Sequence, residues 1–172
     1  MKVHIRPETK EDIGKIWQVN ASAFDTEAEA NLVDNLRKSG ASLISLVAEA
    51  NKKVVGHILF SPVTLSGKRK DVKIAGLAPM AVMPDYQKQG IGTALVKKGL
   101  KQCKSKGYQV AVVLGHSDYY PRYGFVPGSR FGIKSKYDVP DEVFMIKVSS
   151  FRPCSCPIRC ICIPNSFWIY LI

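Results

Sequence analysis

Apolar and polar residues alternate along Val3-His4-Ile5-Arg6, the period of a half-buried strand, and Pro7 closes it. The period then lengthens. Ile13, Ile16 and Trp17, followed by Asn20, recur at helical spacing, which predicts a helix over 10–22 with its apolar members turned to the core. Thr9 is placed to cap it, and Glu11 and Asp12 stand in the first turn, where the helix dipole favours negative charge. A second helix is predicted over 26–39, with Ala28, Leu32, Val33 and Leu36 inward and Gly40 as its stop. Strands follow over 44–50 and 54–65, joined by a turn at Asn51-Lys52-Lys53, then a basic turn over 67–70 and a strand over 72–83. Pro79 stands in the middle of that last strand and cannot donate to a sheet ladder, so a bulge is expected there, bending the strand away from a neighbour, with a plain strand end at Pro79 as the alternative.

The longest helix is predicted over 92–106, with Val96, Leu100 and Cys103 as an inward row, Ile91 and Leu95 beside it, and Gly107 as the stop. Val110 to Leu114 is continuously apolar, as in a strand covered on both faces. A short helix or turn over 117–123 and strands over 131–133 and 143–148 complete the pattern. Strands alternating with helices, then a closing hairpin, predict an α/β three-layer domain with a mixed sheet.

Candidate chemistry lies where the strand over 72–83 meets the long helix. Gln87-Lys88-Gln89-Gly90-Ile91-Gly92-Thr93 places two glycines just before a helix N-terminus. The first amides of a helix have no partner within it, and the dipole adds partial positive charge there. Glycines let the backbone turn those amides inward, which makes an anion socket, most often for phosphate. The spacing Gln-x-x-Gly-x-Gly lacks the third glycine of the dinucleotide fingerprint and the Gly-Lys-Ser/Thr ending of a P-loop. On spacing alone, a phosphate socket and an ordinary strand-to-helix turn both stay open.

The same residues resemble the Arg/Gln-x-x-Gly-x-Gly/Ala signature of the GNAT superfamily of acyl-coenzyme A-dependent N-acetyltransferases. Gly56-His57-Ile58-Leu59-Phe60-Ser61 is similar to that family's third-strand segment, and Tyr120-Pro121-Arg122-Tyr123-Gly124-Phe125 to its Tyr-x-x-x-Gly-Phe ending. Ala23-Phe24, Leu77-Ala78-Pro79-Met80-Ala81-Val82 and Val113-Leu114-Gly115 resemble one branch of small microbial members. The likeness spans residues 1–148 and implies a GNAT-like α/β/α domain with a central mixed, splayed β-sheet. It implies acetyl-CoA as co-substrate, no metal, and direct acetyl transfer in a ternary complex to a primary amine on a small molecule, peptide or protein. Cofactor contacts are then expected from Met80, Ala81 and Val82 on the bulged strand and from Gln87, Lys88, Gln89, Gly90, Ile91, Gly92 and Thr93. In such folds the pantetheine arm enters the slot opened by the bulge, which would give Pro79 a purpose.

Tyr120 matches the family's frequent general acid, and a phenol suits that task because it keeps its proton at neutral pH. No base is assigned. Many family members carry a glutamate on the fourth strand, but residues 77–83 hold no acid. Glu27, Glu29, Glu49 and His116 are candidates, each with an ordinary surface or capping role as the alternative, and His57 reads as a satisfied core histidine. A non-catalytic acyl-CoA-binding regulatory domain is the rival reading.

Composition changes the picture only at the margins. With 46% hydrophobic and 23% charged residues over 172 positions, the chain reads as globular and as one domain. No leader pattern and no apolar run of about 20 residues is found, so a cytoplasmic protein without a membrane partner, monomer or homodimer, is expected. The formal net charge of +11 raises a nucleic-acid module as a further alternative. The lysines are scattered, however, and Lys97, Lys98, Lys101 and Lys104 fit the solvated face of an amphipathic helix.

From residue 149 the composition shifts. Residues 151–172 contain no acid, lysine, glycine or alanine, but hold Cys154, Cys156, Cys160, Cys162 and an apolar end. Cys-x-Cys-x-x-x-Cys-x-Cys departs from the paired knuckles of structural zinc sites, and disulfides fit a cytosolic setting poorly. The segment over 149–172 is read as an aberrant tail and not as an independent domain, with metal binding or an added partner-binding segment as the alternatives.

Overall fold

The computed structural model describes residues 2–65, 72–135, 137–149 and 168–170. The basic turn expected over 67–70 and the four tail cysteines lie outside them. Two compact units form, Met1–Ser61 with Leu77–Gln102 and Pro62–Gly76 with Cys103–Ile172. The α/β class with a mixed sheet is as the sequence predicts.

In the first unit β1 (Val3–Pro7) pairs antiparallel with β2 (Ile44–Ala50), and β2 with β3 (Lys53–Leu65), whose neighbour is β4 (Ile74–Val82). Between β1 and β2 come α1 (Ile13–Ala23), entered through a 3₁₀ turn at Lys10–Asp12, and α2 (Ala28–Lys38); α3 (Ile91–Ser105) follows β4. The register between β2 and β3 shifts at Ala48/Glu49, where Gly56 faces Ala48 and Val54 faces Glu49, leaving Val55 extra. Such a bulge changes which side chains face which layer. Ile16 and Val19 of α1, Val33 of α2, Val47, Val54 and Ala81 close one layer. A Cβ on Gly56 would lie 3.2 Å from Leu95 Cδ1, and one on Gly99 only 2.3 Å from Phe60 Cε2, so α3 packs against the other side of the same strands.

Three assignments of facing are corrected. Ile13 is 40% exposed, because the helix proper starts there after the 3₁₀ turn, and Val19 joins Ile16 in the core instead. Ala28 is exposed at the first position of α2, and Ala30 is buried in its place, one turn before Val33. Leu100 is only half-buried, with Val96 and Cys103 the covered members of its row. Lys97, Lys98, Lys101 and Lys104 are all exposed.

In the second unit the start of β4 neighbours β5 (Val110–Leu114), which pairs antiparallel with β8 (Phe144–Val148), and β8 with β6 (Val126–Pro127). Val63, Ile74, Val112, Ile133, Phe144 and Ile146 form its core. The strand predicted over 131–133 is not one. A 3₁₀ turn occupies Gly128–Phe131, Gly132 takes a left-handed φ of 68°, and β7 (Lys134–Ser135) begins beyond it. A glycine in that conformation ends the turn and stops a strand from starting earlier. In the tail, β9 (Trp168–Tyr170) pairs parallel with β7 and antiparallel with the end of β3. Among the described residues no helix is long and apolar enough to cross a membrane.

Candidate functional site

β4 does not stop at Pro79. It continues to Val82 with a cis Ala78–Pro79 bond and a buried Ala81, while Met80 and Val82 are half-covered. Met83 then donates its N–H to the Val55 carbonyl at 2.9 Å, and a 3₁₀ turn over Pro84–Tyr86 carries the chain into the glycine loop. Two side chains hold that loop. Gln87 Nε2 donates to the Val82 carbonyl at 3.0 Å, and Gln89 Nε2 donates to the Asp85 carbonyl at 3.1 Å. Lys88 has a φ of 59° and Gly90 one of 82°, so the backbone turns left-handed twice before the helix starts. Alternation of this kind points successive N–H groups to one side, the arrangement that receives anions.

The Gln87 N–H is consumed, donating to the Pro84 carbonyl at 3.1 Å. Among the described residues no backbone carbonyl takes the N–H of Lys88, Gln89 or Gly90. Those of Ile91 and Gly92 belong to the first turn of α3, where a helix offers no acceptor. Thr93 has an interaction of its own. A Cβ built on Gly90 meets nothing within 4 Å, so the loop borders open space. Of the residues expected to contact a cofactor, Lys88 to Gly92 present one continuous run of amides flanked by Gln87 and Thr93, and Met80, Ala81 and Val82 end the strand that leads into it. Backbone N–H groups at a helix N-terminus, with the Lys88 cation in the same loop, are a donor set that fits a diphosphate.

Tyr120 lies in the second unit, at the start of a 3₁₀ turn over Tyr120–Tyr123 that Gly124 closes with a φ of 83°. Its ring packs edge-on against Tyr119 at 5.2 Å and Phe125 at 5.7 Å, and is 6% exposed. A Cβ on Gly115 would fall 2.3 Å from Tyr120 Cε2, so that glycine makes room for the ring. Burial, with a smaller contribution from Tyr123, pushes the phenol up to about 12. His116, at the end of the same approach, is exposed. Cys103 is buried and its thiol is pushed up to about 12 by that burial, which leaves it protonated and unreactive. No group of three metal-ligating side chains occurs among the described residues.

A polar chain that the sequence reading did not assemble runs through the first unit. Asn20 Nδ2 donates to the Ile16 carbonyl at 2.8 Å and lies 3.1 Å from His57 Nδ1. His57 Nε2 lies 2.9 Å from Ser45 Oγ, whose hydroxyl donates to Glu8, and Glu8 is gripped by Arg37 at 2.7 Å. The Asn20 amide can only donate to Nδ1, so Nε2 carries the hydrogen and every donor points outward to the Glu8 carboxylate. Burial forces His57 down to about 3 and keeps it neutral. Glu8 is raised by burial, but hydrogen bonds from Arg37 and Ser45 overcome this and hold it below the ordinary carboxylate range. The signal available in sequence was two polar residues, Ser45 and His57, inside otherwise apolar strands. Of the candidate bases, Glu49 is taken by Arg6 at 2.8 Å, Glu27 is exposed, and Glu29 keeps one carboxylate oxygen covered.

Comparison with known proteins agrees with the geometry. Residues 4–128 match the family model described as the Acetyltransferase (GNAT) domain. The chain is 39% identical over 137 residues to the uncharacterized N-acetyltransferase YjhQ of Escherichia coli K12, covering 77% of this chain and 75% of that one. It is 33% identical over 143 residues to the uncharacterized N-acetyltransferase YhbS of the same organism, covering 83% and 84%. Among solved structures it is similar to E. coli YhbS in complex with CoA, with a TM-score of 0.81 at 32% identity over 86% of this chain and 82% of that one. A GNAT family acetyltransferase from Brucella melitensis in complex with acetyl-CoA gives 0.72 at 34% identity, over 87% and 89%.

Proposed function

The chain belongs to the GNAT acetyltransferase family, and on that premise we propose that it moves the acetyl group of acetyl-CoA to a primary amine by direct transfer in a ternary complex. The observation that carries this reading is the run of open amides from Lys88 to Gly92 at the N-terminus of α3. These amides bind the diphosphate, and the backbone at Met80 to Val82 receives the arm and polarises the thioester carbonyl, where negative charge develops. The amine nitrogen bonds to that carbonyl carbon, the carbon–sulfur bond breaks, and the thiolate takes a proton from Tyr120. Burial pushes the phenol up to about 12, so it holds its proton at neutral pH and is the donor available to the thiolate as it departs. Direct transfer is supported by the buried, protonated state of Cys103, which leaves the first 149 residues without a thiol able to hold the acyl group.

The test is thermal stabilisation by acetyl-CoA, followed by thiol release with a panel of amines. Stabilisation and amine-dependent release are expected. Binding without release for any amine would replace the enzyme reading with that of an acyl-CoA sensor. Tyr120→Phe is expected to slow transfer about 100-fold, within the usual span for a lost proton donor, while calorimetric acetyl-CoA affinity stays within about twofold of wild type. Unchanged turnover would remove Tyr120 from the mechanism.

A further inference from the structure

Arg122 shares the 3₁₀ turn over Tyr120–Tyr123 with the proposed acid, and it is exposed. Its guanidinium carbon lies 4.7 Å from the centroid of the Tyr119 ring, and Nη2 donates to the Asp118 carbonyl at 3.3 Å. Tyr119 in turn packs edge-on against Tyr120 at 5.2 Å and lies 5.4 Å from Tyr123. The width of one ring therefore separates the guanidinium from the Tyr120 ring. These contacts hold a long side chain that would otherwise keep its rotamer freedom. They use one of its five N–H donors and leave the charge uncompensated. Among the described residues no carboxylate pairs with Arg122, and Asp118 gives it only a carbonyl. The other cation at this turn, Lys147, is committed, because its Nζ donates to the Tyr123 carbonyl at 2.5 Å. An arginine stacked on an aromatic face keeps the edge of its planar fork open, and that fork matches a carboxylate or a phosphate in two parallel hydrogen bonds.

Two sources of anion come to this reaction, the phosphates of the coenzyme and any acidic group on the acceptor. The phosphates stand at the far end of the pantetheine arm from the sulfur, and the diphosphate is allotted to the amides of the glycine loop. Tyr120 serves the sulfur end, where the acceptor must also arrive. We propose that Arg122 binds a carboxylate on the amine acceptor, which makes the acceptor an amino acid or a similar compound carrying both groups, and not a simple amine. The inference rests on the acetyl-transfer reading with Tyr120 at the sulfur, and it deepens that reading by naming the class of acceptor. A bidentate grip on the carboxylate fixes one end of the molecule and restricts the directions from which its amine can approach the thioester carbonyl. Arg122 is then a specificity residue and exchanges no proton, since a guanidinium stays charged at every working pH.

The experiment pairs glycine, β-alanine, phenylalanine and lysine each with the amine that lacks its carboxylate, and follows thiol release by wild type, Arg122→Gln and Arg122→Lys. In the best pair, wild type is expected to show kcat/KM at least about tenfold higher for the member with the carboxylate. Arg122→Gln should lose about 10- to 100-fold on that member, chiefly through KM, and change by less than about threefold on its amine. Arg122→Lys keeps the charge without the fork and should recover part of the loss. The preference for acetyl-CoA over its form lacking the 3′-phosphate should be the same in all three proteins. Equal wild-type turnover of both members of every pair would overturn the proposal and leave the transfer reading standing. An equal loss on both members in Arg122→Gln marks a structural role for the stacked side chain and overturns it as well. A changed preference between the two coenzyme forms would give the guanidinium to the 3′-phosphate instead, against the proposal. A wild type that binds acetyl-CoA but acetylates no member of any pair would overturn the transfer reading itself, and this proposal with it.

Discussion

His57 makes acid stability a direct test of the buried polar chain. The imidazole is fully buried, neutral, and held down to about 3 by desolvation. In the unfolded chain it titrates near its ordinary value of about 6.5. Between those two values the unfolded state binds a proton that the folded state refuses. Stability from this group is therefore fully present above about pH 6.5 and falls as the pH drops toward 3. One proton of difference corresponds to a slope of about 1.4 kcal/mol per pH unit. Integrated from about pH 6 to pH 4 the loss is about 2.5 kcal/mol, a large share of a typical folding free energy. Glu8 and Asp12, whose carboxyls are held low by their arginine partners, lose stability in the same direction but at lower pH. Replacing His57 by Gln keeps a donor for Ser45 and an acceptor for Asn20 while removing the titration, so the carboxylate contributions largely cancel between the two proteins. Urea unfolding at several pH values in this window, monitored by circular dichroism, should show wild type steeper than His57→Gln by about one proton's slope. Parallel curves would mean that the unit admits the charged imidazole, and the one-way hydrogen-bond chain would have to be given up.

A Cβ on Gly90 meets nothing within 4 Å, so the folding cost of Gly90→Val is chiefly the left-handed backbone strain of about 1–2 kcal/mol. Its side chain stands in the open cradle, and calorimetry should show acetyl-CoA affinity reduced at least about tenfold, a loss of about 1.4 kcal/mol. Normal affinity would move the diphosphate elsewhere. Arg6→Met leaves Asp12, which is 1% exposed and bonded to Arg6 at 2.6 Å, with its Thr9 contacts and a long ion pair to the exposed Lys15 at 3.9 Å. Denaturant unfolding should show a loss of about 2–4 kcal/mol, most of it restored when Asp12→Asn is added, because the cost lies in the unpaired charge. No recovery in the double variant would place the cost in lost packing.

Most elements and the loop's place between β4 and α3 were legible because each is written in local chemistry. Residues 44–50 and 110–114 are short, mostly apolar runs of strand length, and Gly40 and Gly107 stop helices where the backbone turns left-handed, with φ of 71° and 81°. Exposure of Ile13 and Ala28 was not legible, since the start of each helix depends on a 3₁₀ turn or a cap that shifts the register by a residue or two. The strand wrongly expected over 131–133 failed for the same reason, a left-handed Gly132 that spacing does not announce.

By itself, then, the sequence determined the alternation of strands and helices, the glycine loop ahead of α3, and the family the chain belongs to, because periodicity and short motifs act over a few residues. Tertiary structure decided which polar groups are satisfied. Glu8, Ser45, His57 and Asn20 are up to 49 positions apart, and only the pairing of β2 with β3 beneath α1 brings their atoms within hydrogen-bond reach. The same packing left Glu29 with a covered oxygen and no donor, a condition that exists only once neighbouring side chains have excluded water.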